Sequence, residues 1–197
     1  MELSMKKETV YKIFSNIPTL HAERISLRAM HPIDAEDMFD YSSREDVTKY
    51  LLWSPHASVS YTRDYLRYVH SRYSLGDFYD WAIIDQASRR MIGTCGFTRI
   101  NPENDSAEIG YVLHPNFWGK GYALEAAKTV VDFGFEALGL HRIEAKFMEG
   151  NERSRRVMEK LGMSFEGYHK DEIFVKGSYR TVGVCAIINP KGSTEPI

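Results

Sequence analysis

Asn116-Phe117-Trp118-Gly119-Lys120-Gly121-Tyr122-Ala123 is the stretch on which the reading of this chain turns. A strand-like run, Glu108-Ile109-Gly110-Tyr111-Val112-Leu113, leads into it, and an amphipathic run from Ala123 to Leu138 leads out. Two glycines at a strand-to-helix junction remove side chains, so that backbone N–H groups can approach a ligand closely. Those N–H groups are the unpaired donors of a helix start, where the helix dipole adds partial positive charge. The combination suits a phosphate or pyrophosphate, and Lys120 adds a full positive charge. A Gly-x-Gly turn is also often no more than a turn. The Walker spacing, Gly-x-x-x-x-Gly-Lys-Ser/Thr, is absent, and the third glycine of a dinucleotide fingerprint would fall at Leu124. The loop suggests a phosphate-bearing ligand without naming it.

A chain of 197 residues fits one domain with a core large enough to be stable without staples. A net charge of −2 argues against general nucleic-acid binding, which wants a basic surface, and leaves open a basic protein or peptide as substrate. Cys95 and Cys185 both sit in apolar strand-like runs, which predicts buried, reduced thiols in a cytoplasmic protein. No Cys-x-x-Cys or Cys/His spacing points to a metal. Lys6 and Lys7 are followed by no apolar stretch, so no signal peptide is expected, and no run is suited to crossing a bilayer.

Along the chain, residues 1–21 form a polar lead-in in which Val10, Ile13, Phe14 and Ile17 recur at helical spacing and predict a short helix before Pro18. Residues 23–30 alternate as a first strand. Helices are expected at about 33–43, 45–52 and 60–74. Tyr61, Tyr65, Leu66, Val69 and Tyr73 share a face of the last of these, either as core or as the wall of a ligand groove, and Trp53 lies in the preceding loop. The period then changes to two: strands at 81–84, 91–100 and 107–113 with turns between them form an antiparallel meander. A helix follows the glycine loop, then a strand at 141–148, a helix capped by Asn151 that runs to Leu161, a short strand at 165–168 and a last strand at 180–188. This order is that of a mixed α/β single domain. It would occupy residues 22–190, with a loose tail over 191–197.

That order, with Gly-x-Gly between the fourth strand and the long helix, resembles the GNAT superfamily of N-acetyltransferases over nearly the whole chain. Five segments resemble its RimJ/RimL-like branch, which acetylates ribosomal-protein N-termini. They are Glu108-Ile109-Gly110-Tyr111, Trp118-Gly119-Lys120-Gly121-Tyr122-Ala123, Leu140-His141-Arg142-Ile143, Asn151-Glu152-Arg153-Ser154 and Glu159-Lys160-Leu161-Gly162-Met163. The superfamily's pyrophosphate motif is Gln/Arg-x-x-Gly-x-Gly/Ala, and Asn116 departs from it at the first position. The resemblance implies a mostly antiparallel mixed sheet flanked by helices. It implies acetyl-CoA as co-substrate, its pyrophosphate on the amides of Trp118, Gly119, Lys120, Gly121, Tyr122 and Ala123. It also implies that the backbone of Tyr111, Val112 and Leu113 pairs with the pantetheine arm, and that Asn151 hydrogen-bonds that arm. No metal is implied. The acceptor would be a primary amine, a protein N-terminal α-amine in the first instance. A small antibiotic-like or polyamine-like amine, or a non-catalytic acyl-CoA-binding regulatory domain, stand as alternatives. The oligomeric state is left open, with a homodimer among the options.

Acetyl transfer from a thioester requires that the amine lose a proton, that the carbonyl oxygen meet a donor, and that the sulfur leave protonated. Glu108 is the candidate base, since strand parity puts it on one face with Gly110 and Val112; a plain surface carboxylate is the alternative. The oxyanion donor would be an N–H near Val112 or Leu113. The family's usual acid is a tyrosine four residues after the serine of Asn-x-x-Ser, and here that position is Met158. Ser154 is the substitute, as donor to the sulfur directly or through water, or else as a first-turn serine that only serves its helix. Tyr122 and Tyr168 are outside candidates.

Overall fold

The computed structural model describes residues 2–192. The chain runs α1 (Glu2–Phe14), β1 (Leu20–His21), β2 (Ile25–Arg28), α2 (Ala35–Ser42), α3 (Glu45–Thr48) and α4 (Val59–Tyr73). It continues through β3 (Tyr79–Asp85), β4 (Met91–Asn101), β5 (Ser106–Leu113), α5 (Tyr122–Glu136), β6 (Arg142–Met148), α6 (Glu152–Lys160), β7 (Ser164–Val175) and β8 (Ser178–Ile188). Eight strands form a single sheet in the order β1-β2-β3-β4-β5-β6-β8-β7. Every neighbouring pair is antiparallel except β5 and β6. That parallel step requires a crossover connection, and α5 supplies it.

Strand alternation separates two cores. Trp81 and Ile83 of β3 face one side, where they meet Ala126, Ala127 and Val130 of α5, Met158 of α6 and Phe14. Ala82 and Ile84 face the other side, against Met38 and Tyr41 of α2 and Leu66 and Val69 of α4. A central strand buried on both faces is read as continuously apolar, as Trp81-Ala82-Ile83-Ile84 is. The predicted aromatic face of α4 divides along the helix. Leu66, Val69 and Tyr73 are core, whereas Tyr61 is exposed and lines a cleft together with Tyr65.

Several expectations shift. The N-terminal helix begins eight residues earlier than Val10 and ends before Ile17. It is no appendage: Phe14 is fully buried and packs edge-on to Tyr79, Trp81 and Phe133. Leu20–His21 is already a strand of the sheet, paired with Leu27 and Ser26 of β2. The helix expected over 45–52 is a single turn. The short strand expected at 165–168 is instead twelve residues long, and its pairing with β8 is interrupted by two irregularities. The tail expected to be loose lies, from residue 193, outside the described residues. Among the described residues no helix is long and apolar enough to cross a membrane.

Candidate active site

The site begins where the sheet comes apart. β5 pairs with β6 from Ser106 to Ile109 only, while β6 continues along β8 as far as Met148. Gly110–Leu113 and Lys146–Met148 therefore diverge. A cleft of about 550 Å³ opens between them. Residues of α2, α4, β3, α6, the 50–56 segment and the β7–β8 hairpin complete its walls.

On β5 the free edge is set by strand geometry. His114 N–H donates to the Ile92 carbonyl at 2.7 Å, so the alternating pattern turns Val112 toward β4 as well and turns Tyr111 and Leu113 outward. Val112 is thus removed from the expected backbone pairing and from the oxyanion role; its side chain lines the cleft instead. Leu113 keeps only its N–H for a ligand, because its carbonyl accepts from Trp118 Nε1 at 2.7 Å.

The glycine loop follows directly. Gly119 and Gly121 sit at φ 73° and 85°, a region that side chains disfavour. A Cβ at Gly119 would meet nothing within 4 Å, so the space in front of the loop is open. Gly121 is the N-cap of α5, which leaves the first N–H groups of that helix pointing outward. Trp118 N–H is engaged by the Pro115 carbonyl at 3.0 Å and is not part of this set. The loop is braced from behind. Arg24 Nε donates to Glu125 at 2.7 Å, Arg24 Nη1 donates to the Lys120 carbonyl at 2.9 Å, and the guanidinium lies over the Tyr122 ring. Tyr122 Oη donates to Asp85 at 3.4 Å, and Tyr122 does not line the cleft. Tyr168 packs on Phe147 and Phe165 and does not line it either.

Asn151 caps α6: its Oδ1 accepts from Ser154 N–H at 3.3 Å while the residue lines the cleft. Ser154 lines the cleft too, and its Oγ lies 3.0 Å from the Tyr111 hydroxyl, which also reaches the Ser154 carbonyl at 3.0 Å. A tyrosine from β5 thus stands beside the serine, although the helix position four residues on is Met158, 1% exposed. Burial pushes the Tyr111 phenol up, so it stays a proton carrier at neutral pH. Glu108 faces the cleft; Thr98 Oγ1 donates to it at 3.0 Å and Lys146 Nζ lies 4.0 Å away.

The opposite wall is aromatic. His56 is ringed by Trp53 at 5.2 Å, Tyr61 at 5.0 Å and Tyr65 at 5.8 Å between centroids. Its Nδ1 lies 2.8 Å from Thr62 Oγ1, and burial lowers its pKa. Deeper in, the cleft holds a carboxylate that the sequence reading passed over. Asp80 lies on β3 opposite Gly96, which lies opposite Gly110 on β5. Asp80 is partly buried and lines the cleft. Burial pushes its pKa up to about 7, against the hydrogen bonds from Thr94 and the Trp81 N–H. The signal available in the sequence is an acid on the strand face of Ala82 and Ile84, next to a tryptophan.

The chain matches the model of the acetyltransferase (GNAT) domain over residues 24–164. It is 40% identical to the uncharacterized N-acetyltransferase p20 of Bacillus licheniformis, with 81% of this chain and 89% of that one covered. It is 33% identical to the spermidine N(1)-acetyltransferase of Escherichia coli K12 (83% and 84% covered). It is 26% identical to the [ribosomal protein uS5]-alanine N-acetyltransferase of the same organism (89% and 94%). Among solved structures, a GNAT-family acetyltransferase from Bacillus anthracis superposes with a TM-score of 0.78 at 31% identity, covering 87% of this chain and 99% of that one. With the split sheet, the glycine loop at a helix start and the matched domain in one chain, this protein belongs to the GNAT acetyltransferase family, whose chemistry is acetyl transfer.

Proposed function

We propose that this protein transfers an acetyl group from acetyl-CoA to a protein N-terminal α-amine. The observation that carries the reading is the continuity of three features: the free edge of β5, the glycine loop that follows it, and the cleft that opens beside it. The residues present fit acetyl-CoA. Gly119, Lys120, Gly121, Tyr122 and Ala123 would hold the pyrophosphate, with open space where a Cβ at Gly119 would be. Tyr111, Leu113 and Asn151 would hold the pantetheine arm. Bound there, acetyl-CoA supplies a thioester carbonyl. The outward N–H of Leu113 is the oxyanion donor. Glu108 accepts the proton that the nitrogen loses in forming the amide, directly or through water. Ser154, with the Tyr111 phenol at its hydroxyl, returns a proton to the sulfur.

An extended chain end suits this cleft better than a polyamine does. Several ammonium groups need several unpaired acids, yet Glu108 is beside Lys146 and Asp77 is paired with Arg72. The spermidine relative keeps the small-amine reading in play. The presence of Glu108, Ser154 and Tyr111 in one cleft weighs against a domain without turnover. The buried free thiols Cys95 and Cys185 favour a reducing, cytoplasmic setting. The test is thiol release from acetyl-CoA with three acceptors: an alanine-led tetrapeptide, spermidine and a simple alkylamine. The tetrapeptide should give the highest kcat/KM. A higher value for spermidine would replace this reading with the small-amine one, and no release from any acceptor would end it.

A further inference from the structure

One polar pair in the cleft has no part in the chemistry above. Tyr41 is fully buried and lines the cleft, and its hydroxyl has no hydrogen-bond partner. A buried hydroxyl left unpaired is destabilising, and folded proteins keep few of them. The strongest charge acting on that hydroxyl is the carboxylate of Asp80.

The sheet makes room for this pair. A Cβ on Gly96 would come within 2.3 Å of Asp80 Cα and 2.8 Å of its Oδ1, so only glycine fits there. Gly110 is next in the same row, so neither position of that row sets a side chain of its own between the Asp80 carboxyl and the β5 edge, and the Thr98 methyl lies against Gly110. The groups around Asp80 on its face of the sheet are the Thr94 hydroxyl of β4, the Tyr41 phenol of α2, and the Tyr65 and Tyr73 phenols of α4; the Cys95 thiol lies on the opposite face. The Tyr73 phenol is occupied, since it donates to the Asp80 carbonyl at 2.7 Å. Glu108 looks onto the same cleft from β5. Among the described residues no Lys, Arg or His forms an ion pair with Asp80, whereas Glu108 has Lys146 and Asp77 has Arg72. The cleft therefore offers one carboxylate with an open cation position and one hydroxyl oxygen with an open acceptor position.

We propose that Asp80 and Tyr41 form the subsite for the ammonium group of the acceptor, and that Asp80 takes the proton which converts it to the attacking amine. The ligand class is a primary ammonium with a single positive charge on an apolar stem, which passes the aromatic wall of Trp53, His56 and Tyr65. The proposal rests on the acetyl-transfer reading and adds to it the first of two proton steps. R–NH3⁺ gives one proton to the Asp80 carboxylate, leaving R–NH2 and a neutral acid that returns its proton to water. The second proton leaves the nitrogen for Glu108 as the C–N bond forms. An equivalent proton reaches the sulfur from Ser154 and Tyr111 as the C–S bond breaks, and water restores those groups. An Asp80 pKa of about 7 lies close to the roughly 7.7–8.0 of an α-amine, so this transfer is nearly balanced near neutral pH.

The test uses the full chain with Asp80→Asn and Tyr41→Phe. The first readout needs no turnover: calorimetric binding of an alanine-led tetrapeptide to the CoA-loaded protein at about pH 7.5, where the Asp80 carboxyl is mostly ionised and the α-amine is still mostly an ammonium. Asp80→Asn should weaken peptide binding at least about tenfold and Tyr41→Phe severalfold, with the affinity for CoA unchanged. Tyr41→Phe removes only an unpaired hydroxyl, so it folds at least as well as wild type and carries the test should Asp80→Asn fold poorly. The second readout is the single-turnover rate. Asp80→Asn should lose about a hundredfold with the tetrapeptide, and its pH profile should move up to the pKa of the free amine. With an aniline-type acceptor, already neutral at pH 7, the loss should be under about threefold. Unchanged peptide binding in both variants, or equal rate losses with both acceptors, overturns the proposal. Absence of thiol release from wild type with any amine, together with peptide binding lost in Asp80→Asn, would overturn the acetyl-transfer reading and leave the ammonium subsite standing.

Discussion

The two ends of the cleft are built from different materials. At the end proposed for the cofactor the groups on offer are backbone: the edge of β5, the amides of the glycine loop and the start of α6. Side chains there mainly brace the backbone, as Arg24 does through Glu125 and Trp118 does through the Leu113 carbonyl. At the end proposed for the acceptor the groups on offer are side chains brought from α2, the 50–56 segment, α4, β3 and the β7–β8 hairpin. The first end depends on where the chain turns, the second on which residues the fold brings together. Substitutions should therefore divide: changes at the cofactor end fail in binding acetyl-CoA, and changes at the acceptor end fail in the use of the amine.

The largest effect that sharpens this division is expected at Glu108. Glu108→Gln should lower turnover by about a hundredfold to ten-thousandfold, the usual range for a lost general base, while the affinity for acetyl-CoA stays near wild type. Turnover at the wild-type level at neutral pH would end its role as base.

Asp80 comes next, through stability. Its folded pKa of about 7 lies above the ordinary aspartate value of 3.8, so between these values the unfolded state binds fewer protons than the folded one. Stability is then lost as pH rises from about 4 to 7. At about 1.4 kcal/mol per pH unit the loss attributable to Asp80 is at most about 4 kcal/mol, and less because the carboxyl is partly open to the cleft. Asp80→Asn without ligand should match wild type in denaturant titrations near pH 4 and exceed it near pH 8. A constant difference across that range would mean that Asp80 keeps an ordinary pKa.

Gly121→Val tests the other end. Acetyl-CoA at a hundred times its Kd adds about 2.7 kcal/mol to stability, or roughly 5–11 °C in Tm for a chain of this size. A branched side chain at φ 85° would strain the loop and bring its Cβ to 3.3 Å from the Arg24 guanidinium that braces it, and should erase that shift. Because the residue also caps α5, Lys120→Ala is the milder companion, and it should shrink the shift without removing it. A full shift in Gly121→Val would take the loop out of the site.

Ser154→Ala should slow a single turnover by about tenfold, or about 1.4 kcal/mol, with acetyl-CoA saturating. Tyr111→Phe should do the same if the two hydroxyls act as a unit. Restoring a tyrosine at Met158 is a poor companion, since that side chain is buried and a larger one would overpack the core. An unchanged rate in both variants would assign the sulfur's proton to water.

The smallest effect is expected at Lys176, whose ammonium donates to the Thr48 carbonyl at 2.6 Å and ties the hairpin turn to the end of α3. Lys176→Ala should raise the KM for the acceptor about threefold and leave acetyl-CoA binding alone. A change in acetyl-CoA binding would show that the two ends are coupled.

Much of this molecule follows from the sequence by local rules. The glycine loop was legible because φ above zero at a strand-to-helix junction leaves few alternatives to glycine. The apolar period of Ala127, Val130 and Val131, the cap at Asn151 and the alternation of Ile143, Ala145 and Phe147 named their elements without reference to anything distant. Each of these signals lies within a few residues of the structure it specifies.

What only the tertiary structure decided is what depends on partners far apart in the chain. β7 is exposed and polar along most of its length, so its pairing with β8 left no apolar period to read. The point where β5 parts from β6 is a matter of register between strands more than thirty residues apart. That register, with the β4 pairing, turned the backbone of Tyr111 and Leu113 to the free edge and that of Val112 to β4. Tyr111 reaches Ser154 across 43 residues. Asp80 is an ordinary acid in the sequence. It stands apart only because Gly96 lets it sit against the sheet, while Tyr41 and Tyr65, from helices earlier in the chain, line the same cleft and burial raises its pKa. Local sequence sets backbone conformation, but desolvation and pairing belong to neighbours that only the folded chain assembles.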